Sequence, residues 1–329
     1  MPVPRIWLET PGLIRDFLTR RVDYEQLASE VAYILKTRVG KAGIRYASIT
    51  YRTKTLESFL EKLERKKYEE PITQVTDLAG ARIVCLYPGD LPKIESIIRE
   101  EFDVIEKIDK IAEHEADRFG YDAVHFLVKL GPKSCGARYD DLKGLICEIQ
   151  TRTVLQDAWA IIDHHLFYKR EGSVPSTIRR KLHSLAGMFE TVDEHFEIIR
   201  AERDQYIHTL EAMKTEPGFL AQECNLDSFK ALCQRFFPNR KREADTEYSR
   251  VFSWLIAEGY HTLRDLERAV EKARSALADV MDEVYRGDEE VWTDLFCLHV
   301  SVGLVNESYG QSAAYGSQVR AALQKLAVG

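Results

Sequence analysis

Apolar positions in the first two hundred residues alternate between two periods. Leu27, Val31, Ile34 and Leu35 recur every three to four residues and predict a helix over 22–39, stopped by Gly40 and Gly43. The run YASITYRTK, residues 46–54, alternates and predicts a strand that ends on basic residues. Leu56 to Lys67 returns to the helical period through Phe59, Leu60 and Leu63. Residues 81–87 are almost continuously apolar and predict a buried strand. A Pro88-Gly89-Asp90 turn follows, with Asp90 as the expected cap of a helix carrying Ile94, Ile97 and Ile98. A short strand over 103–107, a polar loop over 108–119 and strands over 121–130 and 145–152 come next. The helix over 153–169 carries a stripe of Leu155, Ala158, Trp159, Ile162 and Leu166, expected to anchor it to the sheet.

The predicted order is β-α-β-α-β-β-β-α, an α+β arrangement with a mixed sheet and flanking helices. A long helix over 175–213, striped by Leu182, Leu185, Phe189 and Val192, ends at Glu216-Pro217-Gly218. Beyond it no strand is evident. Leu263, Leu266, Val270, Ala273, Leu277 and Val280 mark a helix with Thr262 as its N-cap. The expected modules are therefore 20–213 and an all-helical accessory or regulatory module over 217–329.

Composition narrows the class. The 329 residues are 45% hydrophobic and 30% charged, as in a water-soluble globular protein. No apolar run reaches the 18 residues of a membrane span, and the N-terminus lacks a signal-peptide pattern, so a cytoplasmic location without membrane contact is expected. The six cysteines form no CxxC pair and read as free thiols. Residues 201–329 hold 15 Lys/Arg against 21 Asp/Glu, while residues 1–200 hold 31 against 32. That balance argues against broad nucleic-acid coating and leaves room for a local basic site. The segment RFFPNRKR, Arg235 to Arg242, is such a candidate.

Strand parity then sorts the polar residues. Tyr121 and His125 share one face of their strand, opposite Val124, Phe126 and Val128; Glu148, Gln150 and Arg152 share one face of theirs. Asp77 precedes the 81–87 strand. If these strands are neighbours, Asp77 and Glu148 converge, and two carboxylates completed by substrate phosphates suit Mg²⁺. Arg52, Lys54, Lys62 and Lys110 add the cations that polyphosphate chemistry needs. Taken singly, each has an ordinary reading: Asp77 as a turn residue, His125 as a strand histidine, Lys62 as a solvated helix position. Neither a P-loop nor a dinucleotide fingerprint is present.

Taken together, five pieces resemble the synthetase domain of the RelA/SpoT homologue family, the alarmone synthetases. They are Arg52-Thr53-Lys54 with Lys62; Asp77 to Arg82; Gly120-Tyr121 with His125; Glu148 to Thr153; and the helix from Ala158-Trp159 through Asp163-His164 to Tyr168-Lys169. The match spans about residues 20–200. The resemblance implies a nucleotidyltransferase-like sheet and Mg²⁺-dependent transfer of pyrophosphate from ATP to the 3′-hydroxyl of GDP or GTP. Arg52, Lys54, Lys62 and Arg82 would then bind ATP, and Asp77 and Glu148 would bind the metal, with Glu148 also able to take the hydroxyl proton. Lys110, Tyr121, His125 and Gln150 would contact the acceptor, and His164 is a further motif residue. A homo-oligomer is also within what the resemblance allows. No hydrolase segment is expected ahead of residue 20. The run Glu115 to Tyr121 departs from the family's Pro-Lys-x-Asn-Gly-Tyr, with Lys and Asn absent and acids present. The acceptor therefore stays open among guanine nucleotides, adenine nucleotides and the tRNA 3′ end used by toxin-type members. A degenerate nucleotide-binding module is the remaining alternative.

Overall fold

The computed structural model describes residues 10–109, 123–167, 175–288, 290–313 and 315–328. The chain divides into two compact units, Met1–Ile199 and Arg200–Gly329.

The first unit runs α1 (Pro11–Lys41), β1 (Tyr46–Thr53), α2 (Leu56–Arg65), the single turn α3 (Pro71–Gln74), β2 (Ala79–Cys85), α4 (Leu91–Glu101), β3 (Phe102–Asp109), β4 (Val124–Leu130), β5 (Cys147–Thr153) and α5 (Val154–Phe167). The helix α6 (Ser176–Met213) follows and crosses the division between units. The five strands lie in the order β1-β2-β5-β4-β3. β2 and β5 pair in parallel and the other pairs are antiparallel, so the sheet is mixed, as expected.

Parity decides which face is covered. Ile83, Phe126 and Ile149 share a buried core with Leu27, Val31 and Leu35 of α1 and with Ile94 and Ile98 of α4. The alternate positions, Thr50, Arg52, Arg82, His125, Glu148 and Gln150, therefore stand on the opposite face. One face holds the sheet together by apolar burial, and the other is released for chemistry.

Four expectations need correction. α1 begins at Pro11, a full three turns before Val22; the Thr10-Pro11 step, with Pro at the first helical position, is its start signal. β2 spans Ala79–Cys85, two residues earlier than expected. Asp90 stands at the N-cap position but makes no cap hydrogen bond; its carboxylate accepts from Lys93 Nζ at 2.9 Å instead. The α5 stripe is only half used. Trp159 is buried against Leu182, Ala186 and Phe189 of α6, while Ile162 and Leu166 are 45% and 52% exposed. The helix is wedged by its first two turns, and Ile162 and Leu166 stay exposed among the described residues.

The second unit is helical, as expected: α7 (Leu226–Phe236), α8 (Asp245–Ala257), α9 (Leu263–Glu283), α10 (Asp294–Val305), α11 (Glu307–Ser312) and α12 (Ser317–Leu326). Thr262 caps α9 in a reciprocal capping box with Asp265. Its core joins Leu266, Val270 and Leu277 of α9 to Leu298 of α10 and to Trp292 and Tyr309. The six cysteines are free thiols, with Cys85, Cys147, Cys233 and Cys297 buried. Among the described residues, no helix is long and apolar enough to cross a membrane.

Candidate active site

Two rows of side chains cross the open face of the sheet. In one, Arg52 lies opposite Gly80, Gly80 opposite Glu148, and Glu148 opposite Leu127. In the next, Thr50, Arg82, Gln150 and His125 are successive neighbours. Gly80 has no side chain, so a gap opens between Arg52 and Glu148, whose backbones stand two strand spacings, about 10 Å, apart. Thr50, Tyr51, Arg52, Gly80, Ala81, Arg82, Glu148 and Gln150 line the resulting cavity of about 180 Å³.

Glu148 is held on both oxygens. His125 Nδ1 lies 2.8 Å from Oε1, and Gln150 Nε2 donates to Oε2 at 3.0 Å. Burial pushes its carboxyl up, but the His125 hydrogen bond and charge, with the Gln150 amide, outweigh burial and hold it below the usual carboxylate range. The Asp77 charge opposes them, which marks the two carboxylates as electrostatic neighbours. Gln150 also accepts from Arg82 Nε at 3.2 Å.

Asp77 sits in the turn before β2. Lys54, just past the end of β1, donates from Nζ to Oδ2 at 2.6 Å; Lys62, on the last turn of α2, donates to Oδ1 at 2.9 Å. The Lys54 N–H also donates to the Leu78 carbonyl at 2.9 Å, tying the two strand ends together. Burial raises the Asp77 carboxyl, and the two lysines more than reverse it, leaving it below its ordinary value. Lys62 is thus drawn inward from the solvated position its helix suggests.

Of the sequence-derived site residues, Arg52, Arg82, Glu148 and Gln150 line one cavity, with His125 bonded to Glu148 behind them. Lys54, Lys62 and Asp77 form an adjoining cluster. His164 is exposed on the last turn of α5, outside the cavity-lining set. Lys110 and Tyr121 lie outside the described residues. Sequence reasoning passed over Asp157, whose Oδ1 accepts from Arg82 Nη1 at 3.0 Å and from Arg152 Nη1 at 3.4 Å. The signal for it was the Thr153-x-x-Gln156 pair, which fixes where α5 begins.

Among the described residues, no group of three or more His, Cys, Asp and Glu side chains is arranged to hold a metal. The available donors are the hard oxygens of a carboxylate pair. They fit a divalent cation whose remaining ligands come from substrate and water.

Residues 51–173 match the family model described as a region found in RelA/SpoT proteins. GTP pyrophosphokinase YjbM of Bacillus subtilis is 32% identical over 157 residues, covering 47% of this chain and 72% of that protein. GTP pyrophosphokinase YwaC of the same organism is 29% identical over 159 residues, covering 46% and 73%. The structure of a GTP pyrophosphokinase family protein from Streptococcus pneumoniae superposes with a TM-score of 0.50 at 25% identity, covering 58% of this chain and 96% of that one. By its motifs, its sheet and these likenesses, the chain belongs to the RelA/SpoT family of alarmone synthetases.

Proposed function

We propose that the chain transfers a pyrophosphoryl group from ATP to the 3′-hydroxyl of a guanine nucleotide, GDP or GTP, yielding (p)ppGpp-type products and AMP. The observation that carries this reading is the Glu148 environment. It is a partly buried carboxylate, held below its usual pKa range by His125 and Gln150, in the lining of a cavity walled by Arg52 and Arg82, with the Lys54–Asp77–Lys62 cluster beside it. The names of the related Bacillus proteins point the same way.

A ribose hydroxyl is a weak nucleophile at neutral pH and needs a base within reach. Glu148 serves that role because His125 and Gln150 keep it unprotonated and fix its orientation. The hydroxyl oxygen attacks the β-phosphorus of ATP, the bond from that phosphorus to the α–β bridging oxygen breaks, and AMP leaves. Arg52, Lys54, Lys62 and Arg82 hold the donor, and their charges oppose the negative charge that builds on the transferred group. His125 and Gln150, with Lys110 and Tyr121, are assigned to the acceptor side. Asp77 and Glu148 would hold Mg²⁺, which supplies further neutralisation of the triphosphate when bound. Residues 217–329 act as an accessory, regulatory module.

The basic segment at Arg235–Arg242 does not favour a tRNA acceptor. Arg235 donates to the Lys214 and Glu216 carbonyls, Arg242 to Gln234, and Lys241 pairs with Glu290, so these cations serve the helical unit itself. A binding-only module has no use for two carboxylates held ionised beside a cationic cavity.

The deciding experiment incubates the protein with Mg²⁺ and ATP labelled on its β-phosphate, offering GDP, GTP, an adenine nucleotide or tRNA as acceptor. Label is expected in the guanine nucleotide. Asp77→Ala and Glu148→Gln are each expected to lower turnover by at least about a hundredfold while leaving the fold intact. Full activity in both variants, or label in tRNA alone, would refute the reading.

A further inference from the structure

We propose that Asp157 is a positioning residue of the donor side, holding the Arg82 guanidinium along the cavity wall through an ion pair it shares with Arg152. The inference deepens the function proposed above and rests on it.

The placement starts in the local chain. The Gln156 N–H donates to Thr153 Oγ1 at 3.1 Å, and the Thr153 N–H donates to Gln156 Oε1 at 2.9 Å. This reciprocal capping box starts α5 at the residue after β5 ends. With no loop between strand and helix, Asp157 is carried in the first turn to within reach of the sheet's open face.

Two arginines meet it there. Arg82 and Arg152 stand on neighbouring strands, and Arg152 is two positions along β5 from Gln150, the register partner of Arg82. Two guanidinium groups so placed repel one another unless an anion lies between them. Asp157 Oδ1 takes both, at 3.0 Å from Arg82 Nη1 and 3.4 Å from Arg152 Nη1. Arg152 is nearly buried, whereas Arg82 is 30% exposed and lines the cavity. Gln150 Oε1 accepts from Arg82 Nε at 3.2 Å. The guanidinium is therefore fixed at two edges, and its orientation is set before a ligand arrives, which lowers the ordering cost of binding. Through Gln150 the same chain of contacts reaches Glu148.

An acidic residue in the first turn of a helix also favours the helix dipole, so the test must separate positioning from helix stability. Kinetics are measured on the full chain with Mg²⁺, ATP and GDP, for the wild type, Asp157→Ala, Asp157→Asn, Arg82→Ala and the Arg82→Ala/Asp157→Ala pair. Asp157→Ala and Asp157→Asn are expected to raise the KM for ATP about tenfold, as for loss of a charge-assisted hydrogen bond. The KM for GDP should stay within about threefold, since the acceptor does not bind the Arg82 edge; kcat is expected to fall as well, because the same guanidinium opposes charge on the transferred group. Asp157→Glu, which keeps the charge, should recover part of the loss. In the Arg82→Ala background, Asp157→Ala should add nothing, because its partner is gone. An equal rise in both backgrounds overturns the proposal. So does a lowered melting midpoint with an unchanged KM for ATP, the signature of a helix-dipole role alone. Titration with a non-hydrolysable ATP analogue reads the same affinity shift without turnover. A wild type that binds the analogue but forms no product with any acceptor would thus sink the proposed function while leaving Asp157 to be judged on binding.

Discussion

At the scale of single residues, the opposition between burial and partners at Glu148 sets when the site is ready. Burial and the neighbouring Asp77 charge favour the protonated carboxyl, while His125 and Gln150 favour the carboxylate. With Glu148 as the proposed base, which must be ionised to act, activity should fall on the acid side as it takes up a proton, below the usual carboxylate range. His125→Phe removes the largest opponent of burial. The acid limb of kcat/KM is then expected to move to higher pH, measured as a full pH profile of both proteins. A profile that changes height without moving its acid limb would separate His125 from the Glu148 ionisation. Much of this was legible beforehand, since strand parity alone puts Glu148 with Gln150, and sets His125 on the face of its strand opposite Phe126 and Val128. What parity could not give was register. That Glu148 faces Leu127, and His125 faces Gln150, depends on how β4 slides against β5, which no local pattern encodes.

At the scale of elements, apolar patterning located every strand of the sheet to within about three residues, because one face is buried and the other polar. Two of the failures share a cause: each concerns what a residue or element meets in the fold. The α5 stripe satisfies helical periodicity, yet only its first turns meet α6. Asp90 has the composition of a cap, yet Lys93 claims its carboxylate. Close backbone approaches are equally hidden. A Cβ on Gly131 would lie 2.4 Å from the Glu101 carbonyl oxygen, where the end of β4 passes the start of β3. Backbone cannot yield there as a side chain tip would. Gly131→Ala is expected to destabilise the first unit by about 1–3 kcal/mol, read as a lower denaturation midpoint. An unchanged midpoint would mean that the β3–β4 pairing opens at little cost.

At the scale of the whole molecule, the net charge of −7 conceals a cationic site, since Arg52, Lys54, Lys62, Arg82 and Arg152 gather around three carboxylates. Bulk charge therefore says little about the ligand, and the arrangement on one sheet face says more. The two units have separate cores, and α6 contributes to both: Leu182 and Ala186 in the first, Leu210 in the second. A cut at the division between units, after Ile199, would sever this helix. A cut in the Glu216-Pro217-Gly218 break would leave it whole. The fragment 1–215 is expected to melt cooperatively and keep the transfer activity in the labelled-ATP assay, whereas 1–199 should be less stable. Loss of activity in 1–215 despite a cooperative melt would make the second unit part of the catalytic machinery.

The lysine pair on Asp77 has a thermodynamic corollary. Both oxygens of that carboxylate are already neutralised by Lys54 and Lys62, so the resting protein carries its own counter-ions for the group a divalent cation would use. A donor triphosphate bound as proposed would compete for the same two ammonium groups. Nucleotide and cation are then linked ligands: each weakens the internal pairing that excludes the other, and each must raise the other's affinity by the same factor. On that assignment the cation should bind weakly alone, and more tightly once a donor has drawn the two lysines from Asp77.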